Sequence, residues 1–221
     1  MKPSLAAGVC FVLSMTLGSG PASAAPIAWT DWVFSNFPVS ATGQITVGAE
    51  VVQVTYTDGA GGASFIQTGP GTDFWLPDAP YLSTQVDNAP VGPDIVALFF
   101  GGTVSVNFSK PVVDPLIALV SWNNNVVEFG EPIEVLSSGP GYWGNGSFSV
   151  NGGGTGFTGV GELHGVIRLP GVHSSFSFTH TTEDWHGFTV GAVDIVPAPG
   201  AALLSLVPLA MLLRRQAGRS A

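Results

Sequence analysis

The fold is decided by two adjacent strand patterns, which lie in Ile95-Val-Ala-Leu-Phe-Phe-Gly-Gly-Thr-Val-Ser-Val-Asn-Phe108. Residues 95–100 form a continuous apolar run, which is typical of a strand buried on both faces. After Gly101-Gly102, apolar and polar residues alternate from Val104 to Phe108, which is typical of a strand with one buried face. The stretch therefore predicts two β-strands in different surroundings, joined by a short turn.

The same patterns recur across residues 25–196. A second continuous run extends from Leu116 to Trp122, and apolar residues alternate at 45–56, 176–178 and 188–192. The alternation changes parity between Val51 and Val52, which predicts a bulge or a bend. Clusters rich in Gly and Asn separate the runs, and no useful helical period occurs. We therefore predict an all-β fold, a β-sandwich or jelly roll, with a long loop over residues 69–93.

Charge is distributed unevenly along the chain. All 15 acidic residues lie within residues 25–196, where Lys110 and Arg168 are the only basic ones. Such a surface repels nucleic acid and anionic lipid, so neither is expected as a partner of this region. It is compatible with solubility outside the cell and with bound Ca²⁺, although charge alone points to no site and no cofactor is predicted.

The beginning of the chain has the layout of a secretory signal peptide. Lys2 precedes a mainly apolar stretch from Leu5 to Leu17, and Ala22-Ser-Ala24 provides a small-x-small cleavage site. We predict a signal peptide over residues 1–24 and a mature chain that starts at Ala25. The only cysteine, Cys10, would leave with the signal, so the mature domain is expected to hold together through its core without a disulfide.

The end of the chain has three parts in a fixed order. Val196-Pro-Ala-Pro199 is followed by an apolar run from Gly200 to Leu213, and then by Arg214, Arg215 and Arg219. Eighteen residues counted from Val196 would make a helix of about 27 Å, marginal for a bilayer core of about 30 Å. The arginines would keep the C-terminus in the cytoplasm. The alternative for so short a run is a buried core helix.

This three-part order resembles the PEP-CTERM sorting signal of Gram-negative bacteria, with Val196, Pro197, Pro199, Arg214 and Arg215 as the matching residues. Ala198 stands where the name-giving motif has Glu. The resemblance implies recognition and processing by an exosortase. We therefore predict a sorting segment over residues 197–221, transient attachment to the inner membrane through its hydrophobic helix, and release to the cell surface or exterior.

Residues 25–196, which we call the body, also resemble a group of PEP-CTERM proteins of unassigned function. The segments that carry this resemblance are Trp29-Thr-Asp-Trp32, Phe108-Ser-Lys-Pro-Val-Val-Asp-Pro115 with Ala118-Leu-Val-Ser121, Gly141-Tyr-Trp-Gly144, Glu162-Leu-His-Gly-Val166 and Trp185-His-Gly-Phe-Thr-Val-Gly191. The resemblance implies a lectin-like sandwich and brings no established activity.

A polar cluster is predicted from two short segments. Glu162 and His164 would share one face of a strand, and Glu183, Asp184 and His186 precede the strand that begins near Phe188. If the strands are neighbours, these groups could bind a metal or perform acid–base chemistry. The alternative, which the weak spacing favours, is that His164 and His186 form hydrogen bonds within turns or at the edge of the sandwich.

Three further carboxylates suggest a glycosidase without satisfying its spacing. Glu128 and Glu134 would share one face of a strand, while Glu131 would point away and Pro132 would interrupt the strand. We therefore predict a solvated edge. Asp58-Gly-Ala-Gly-Gly62 is predicted to be a turn, and a Ca²⁺ loop only if other oxygens converge on it.

Six tryptophans are present, and most are expected in the core. Trp75, in a loop rich in Pro and Asp, and Tyr142-Trp143, in a Gly-rich turn, are the candidates for exposed platforms that bind sugar rings. The alternative is that they anchor their loops. Together these features favour an exported structural or polysaccharide-associated protein over an enzyme. The alternatives are a carbohydrate-binding module and a glycan hydrolase that uses Glu162, His164 and His186.

Overall fold

The computed structural model describes residues 26–60 and 62–196. Over these residues the chain forms sixteen β-strands and one 3₁₀ turn, Ala79–Tyr81, so the predicted all-β class is confirmed. The strands are β1 Ala28–Trp29, β2 Asp31–Asn36, β3 Ser40–Val47, β4 Glu50–Asp58, β5 Ala63–Gln67, β6 Ile95–Leu98, β7 Gly102–Val113, β8 Leu116–Val120, β9 Val126–Glu128, β10 Glu134–Ser138, β11 Gly146–Val150, β12 Gly156–Gly161, β13 Gly165–Arg168, β14 Val172–His180, β15 His186–Ala192 and β16 Asp194–Ile195.

The strands of the described region form two antiparallel sheets. The seven-stranded sheet has the order β10-β13-β8-β15-β6-β5, and β1 pairs with β15. The nine-stranded sheet has the order β11-β12-β9-β14-β7-β4-β3-β2, and β16 pairs with β7. Neighbours in these orders are often distant in sequence, so the chain passes repeatedly from one sheet to the other. The arrangement is compatible with a β-sandwich.

The main core lies where apolar residues of both sheets meet. Because side chains alternate between the faces of a strand, every second residue is buried in residues 52–58 of β4, 104–108 of β7 and 176–180 of β14. Val104, Val106 and Phe108 of β7 pack in the same cluster as Leu119 of β8 and Phe188 of β15. The alternation predicted at these strands is therefore confirmed.

A second core covers the other face of the seven-stranded sheet. The long loop between β5 and β6 packs Trp75, Tyr81 and Val86 against Ile95 and Leu116. As a result all residues of β6 and of β8 are buried. This explains why their sequences are continuously apolar, and it confirms the prediction of burial on both faces for these two strands. The first apolar run extends beyond β6, however, and its last residue, Phe100, is 59% exposed.

The change of parity near residue 51 has a different cause from the one predicted. Residues 45–56 are not one strand with a bulge but two strands joined by a tight turn, since Ile45 pairs with Val52 and Val47 with Glu50. Gly48, with φ +61°, occupies the left-handed conformation that this turn needs. The parity changes because the chain reverses direction.

Both predicted terminal segments lie outside the described residues. These include the cleavage-site residues Ala22 and Ala24 and the sorting residues Pro197, Pro199, Arg214 and Arg215. Val196 is described, and its N–H donates to the carbonyl oxygen of Pro111 at 3.0 Å. Within residues 26–60 and 62–196, no helix is long and apolar enough to cross a membrane.

Candidate functional site

Four of the connections between the two sheets lie together at one end of the domain. Residues 121–125 lead from β8 to β9, and residues 139–145 from β10 to β11. Residues 162–164 lead from β12 to β13, and residues 181–185 from β14 to β15. Each of the four contains polar or aromatic residues that the packing of the core does not require. We call them the end loops.

Aromatic side chains from three parts of the chain form a continuous group at this end. Phe74 of the long loop lies 5.1 Å from Tyr142 and 5.0 Å from Trp185, measured between ring centroids. Trp143 lies 5.0 Å from Tyr142 and 6.2 Å from Trp185. Tyr142 is 42% and Trp143 54% exposed, while Phe74 and Trp185 are half-buried. These four residues are called the aromatic ridge.

Trp75, a candidate for an exposed platform in the sequence, is not part of the ridge. It is 1% exposed, its indole N–H donates to the carbonyl oxygen of Asp94 at 3.2 Å, and its ring packs edge-on against Tyr81. The apolar outer face of the seven-stranded sheet needs a cover, and Trp75 provides a large part of it. The alternative interpretation, a loop anchor, is the correct one for this residue.

The position of Glu162 is set by the end of strand β12, and not by a strand face shared with His164. β12 stops at Gly161, whose φ of +71° turns the chain, so Glu162 and His164 lie on the link to β13 and not on a common strand. The carboxylate of Glu162 accepts hydrogen bonds from the Ser121 hydroxyl and, at 3.1 Å, from the side-chain amide of Asn123. These two bonds fix the position of the carboxylate between the links that follow β8 and β12.

Glu183 lies close to Glu162 but in different surroundings. Burial, and then the negative charges of Glu162 and Asp184, raise its pKa to about 8, while the backbone N–H groups of Trp185 and Asn123 oppose the shift. Asn123 therefore contacts both carboxyl groups, one through its side chain and one through its backbone. The raised pKa keeps Glu183 largely protonated at neutral pH. Asp184 itself is exposed.

A chain of buried imidazoles extends from Glu183 into the core. Nδ1 of His186 lies 3.2 Å from Oε2 of Glu183, at an angle that leaves both atoms without a well-formed hydrogen bond. Nε2 of His186 and Nδ1 of His180 share a hydrogen bond of 2.9 Å. Burial is the main reason why the pKa of His186 falls to about 3 and that of His180 is also lowered. Both rings are therefore neutral.

His164 is separate from this chain. It is fully buried, and its Nδ1 lies 3.3 Å from the hydroxyl of Tyr81. Gly141 packs directly on the imidazole, since a Cβ at that position would lie 2.4 Å from its Cγ. Burial lowers the pKa of His164 to about 4, although the charge of Glu162 acts in the opposite direction. His164 therefore supports the turn that carries Tyr142 and Trp143.

The predicted Ca²⁺ alternative gains no support at Asp58. Its two carboxylate oxygens accept from the backbone N–H groups of Ala60 and Gly62 at 2.8 and 3.0 Å, so the segment is a turn, as predicted. Across the part of the chain that the structure describes, no group of three or more His, Cys, Asp or Glu side chains is placed to hold a metal ion.

The carboxylates of Glu128, Glu131 and Glu134 do not converge. Glu134 pairs with Arg168, Glu131 lies 3.7 Å from the ring of His173, and Glu128 accepts from Asn151 at 2.7 Å. Each has its own local partner at the surface, as expected for a solvated edge.

A second polar region borders a shallow cavity of about 410 Å³ away from the end loops. Asp31 and Asp94 line it together with Gln44 and Trp29. Burial, and then the neighbouring Asp31, raise the pKa of Asp94 to about 6. Asp94 also accepts from the backbone N–H of Trp32 at 3.1 Å, so its main role is to tie β2 to the start of β6.

Several residues of the site could not be assigned from their immediate sequence. Ser121 and Asn123 look like ordinary turn residues, and Phe74 and Trp185 look like core aromatics. His180 did leave a signal, because it continues the inward alternation of Phe176 and Phe178 and so had to be a buried histidine. Its pairing with His186 depends on β14 and β15 meeting across the two sheets, which no local pattern encodes.

Comparison with known proteins adds no relative to this description. No protein family, no curated protein and no solved structure matches the chain.

Proposed function

We propose that this chain is an exported surface or extracellular-matrix protein whose β-domain binds polysaccharide through the aromatic ridge. The observation that carries the proposal is the exposure of Tyr142 and Trp143 in a turn that also meets acidic residues. A Cβ at Gly144 would lie 3.2 Å from Cγ of Glu162, and Trp143 packs against Trp185, two residues after Glu183. Large aromatic side chains are usually buried, so two adjacent exposed rings are unusual. Their faces are apolar, while the carboxyl groups beside them can hydrogen-bond to hydroxyl groups. Sugar rings present the same combination of apolar face and polar rim.

The export part of the proposal depends on the two terminal segments. The signal-like residues 1–24 would direct secretion, and the PEP-CTERM-like residues 197–221 would hold the protein in the inner membrane until an exosortase acts. The body would be a lectin-like jelly roll. The acidic surface of the body suits this destination, since it favours solubility and disfavours nucleic acid as a partner.

Glycan retention by the full chain tests the binding part. Trp143→Ala should weaken binding by about 1 kcal/mol, roughly fivefold, because that is the worth of one aromatic stacking partner. Phe34→Ala is the matched control, since Phe34 is equally exposed but lies on the edge strand β2. Equal loss of binding in both variants, or no loss in Trp143→Ala, would count against the ridge.

The intact mass of protein released from cells tests the sorting part. Processing near Pro197-Ala-Pro199 should remove the apolar run and the arginines. Released protein that still carries residues 200–221 would contradict this part and leave the binding proposal untouched.

A further inference from the structure

The outer face of the nine-stranded sheet is uncharged along its four central strands, although the body that contains it is strongly acidic. These strands, β3, β4, β7 and β14, bury one face in the core and turn the other outward. We propose that this outward face binds long, uncharged polysaccharide chains. The inference rests on the proposed function, because it requires that the protein meets polysaccharide, but it uses none of the residues of the aromatic ridge.

The outward residues of these strands carry hydroxyl or amide groups, with one exception. They are every second residue of 40–46, 51–57, 103–109 and 175–179, and all of them except Val51 are Ser, Thr, Asn or Gln. None of them is buried, so the part of the chain that the structure describes leaves them open. Protein surfaces usually carry charged side chains at about a quarter to a third of their positions, so an uncharged array of this size needs a reason. We call these residues the hydroxyl face.

The strand register aligns the hydroxyl face in rows. One row, read from β3 to β14, is Thr42, Thr55, Asn107 and Ser175. The next row, two residues along each strand, is Ser40, Thr57, Ser105 and Ser177. Neighbouring strands lie about 4.8 Å apart, so each row presents polar groups at regular intervals over about 14 Å. A chain of sugar units also presents hydroxyl groups at regular intervals, and only a long one can contact the whole face.

Charged groups border the hydroxyl face and do not enter it. Asp31 lies on the flanking strand β2 and Glu128 on the flanking strand β9. Glu50 is paired with Lys110 at the end of β4 that adjoins the turn after β3. The acidic body would repel an anionic polysaccharide, and a cationic one would find no carboxylate within the face. An uncharged polysaccharide meets neither obstacle, and hydroxyl and amide side chains can both donate to its hydroxyl groups and accept from them.

The other sheet shows what a face covered by protein looks like in this chain. The outer face of the seven-stranded sheet is apolar, and Ile95 and Leu116 are buried there beneath the long loop. On the hydroxyl face only Val51 is apolar, so a second copy of the chain laid over it would have to remove water from many polar groups. The composition therefore favours a partner that is itself covered with hydroxyl groups and that can bond in part through water.

Co-sedimentation with insoluble particles tests the proposal. The probes are cellulose and chitin, two polysaccharides without charge, and the protein is the full chain carrying Trp143→Ala, so that the ridge contributes little. Adding Thr55→Glu and Ser105→Glu should weaken capture by at least about tenfold, because each carboxylate would lose water against a partner that offers no counter-charge. Ser138→Glu, on the exposed edge strand β10 of the other sheet, is the matched control and should leave capture unchanged.

Two milder substitutions separate the hydroxyl groups from the shape of the face. Thr42→Val and Thr55→Val keep the shape and the strand preference of threonine but remove its hydroxyl group. Each should weaken capture by about twofold to tenfold, the range expected for one hydrogen bond made in water. Capture should also be equal at about 0.05 M and 0.5 M NaCl, because an uncharged contact is not screened by salt.

The other outcomes would overturn the hydroxyl face, and one of them would reach the ridge as well. The proposal fails if Trp143→Ala alone abolishes capture, if capture survives both Glu substitutions or both Val substitutions, or if it falls steeply with salt. It also fails if the full chain is a dimer that the Glu substitutions dissociate, since a second copy would then cover the face. Soluble hexasaccharides retained by the unsubstituted chain would leave the proposed function intact in each case. Absence of both capture and hexasaccharide retention would contradict the two proposals together.

Discussion

The long loop between β5 and β6 and the short turn at residues 139–145 both carry aromatic residues among Gly and Pro, yet they use them in opposite ways. The long loop lies on the outer face of the seven-stranded sheet, where Ile95 and Leu116 need a cover, and its Trp75 is buried. The short turn lies at the end of the domain, where the sheet surface stops, and its Trp143 remains 54% exposed. What each indole faces, and not its local sequence, decides its role.

Of the variants that test this difference, Trp75→Ala is expected to have the largest effect on stability. Removal of a fully buried indole should lower the free energy of unfolding by about 3–5 kcal/mol, because it leaves a cavity between the loop and the sheet. Denaturant unfolding of the purified protein measures the change. A loss below about 1 kcal/mol would show that the long loop does not hold the outer face of the sheet.

Acid should weaken the contact between the two loops, because His164 lies between Tyr81 and Gly141. Its pKa is lowered to about 4 in the folded state, against an ordinary value of 6.5. The unfolded chain therefore binds the proton more readily. The stability that the neutral ring provides is complete above pH 6.5 and is lost as pH falls towards 4, on the order of 3 kcal/mol.

A His164→Gln variant isolates this contribution. The lowered pKa values of His180 and His186 act in the same direction, and the raised value of Glu183 acts in the opposite one between pH 4.5 and 8. These groups are present in both proteins, so the difference between the two stability profiles belongs to residue 164. Parallel profiles from pH 7 to 4 would refute the account given for His164.

Two glycines of the short turn offer a matched pair. A Cβ at Gly141 would lie 2.4 Å from Cγ of His164, whereas a Cβ at Gly139 would meet Pro80 at an ordinary 3.6 Å. We expect Gly141→Ala to lower the free energy of unfolding by about 1–3 kcal/mol, the usual cost of overpacking, and to displace the ridge. Gly139→Ala should change little. Thermal melts and glycan retention measured on both variants would show the contrast, and equal melts would contradict it.

Trp143→Ala should have the smallest effect on stability, within about 0.5 kcal/mol, because an exposed side chain contributes little to folding. The same variant is expected to lose glycan retention. A destabilisation as large as that of Trp75→Ala would mean that Trp143 is a structural anchor and that the ridge is not a free surface.

The fold was largely predictable because its information is local and periodic. Alternation at β7 and β14 and the continuous runs at β6 and β8 each reflect how many faces of a strand are buried. The sequence predicts a bulge or a bend where the structure has a hairpin at Gly48, because a tight turn and a bulge both change the parity of the apolar alternation. The order of the strands in each sheet could not be predicted from the sequence, since it depends on which distant strands pair.

The site was predictable only as an inventory of residues. The chemistry of Glu162, Asp184 and His186 marks them as candidates, and a Gly-rich turn marks Tyr142 and Trp143. His164 was grouped with Glu162 because two residues on one strand share a face, but β12 ends before both of them. The partnership of Glu183 with Glu162 arises from two end loops far apart in sequence, so spacing could not reveal it.

Because every end loop joins one sheet to the other, a polysaccharide bound across these loops would link the two sheets to each other. Pulling the two sheets apart would have to break the contacts to the chain of sugars as well as the core. A protein anchored in a matrix under shear would then resist force best when its ligand is bound. Its attachment to the matrix and its resistance to unfolding would come from the same few residues.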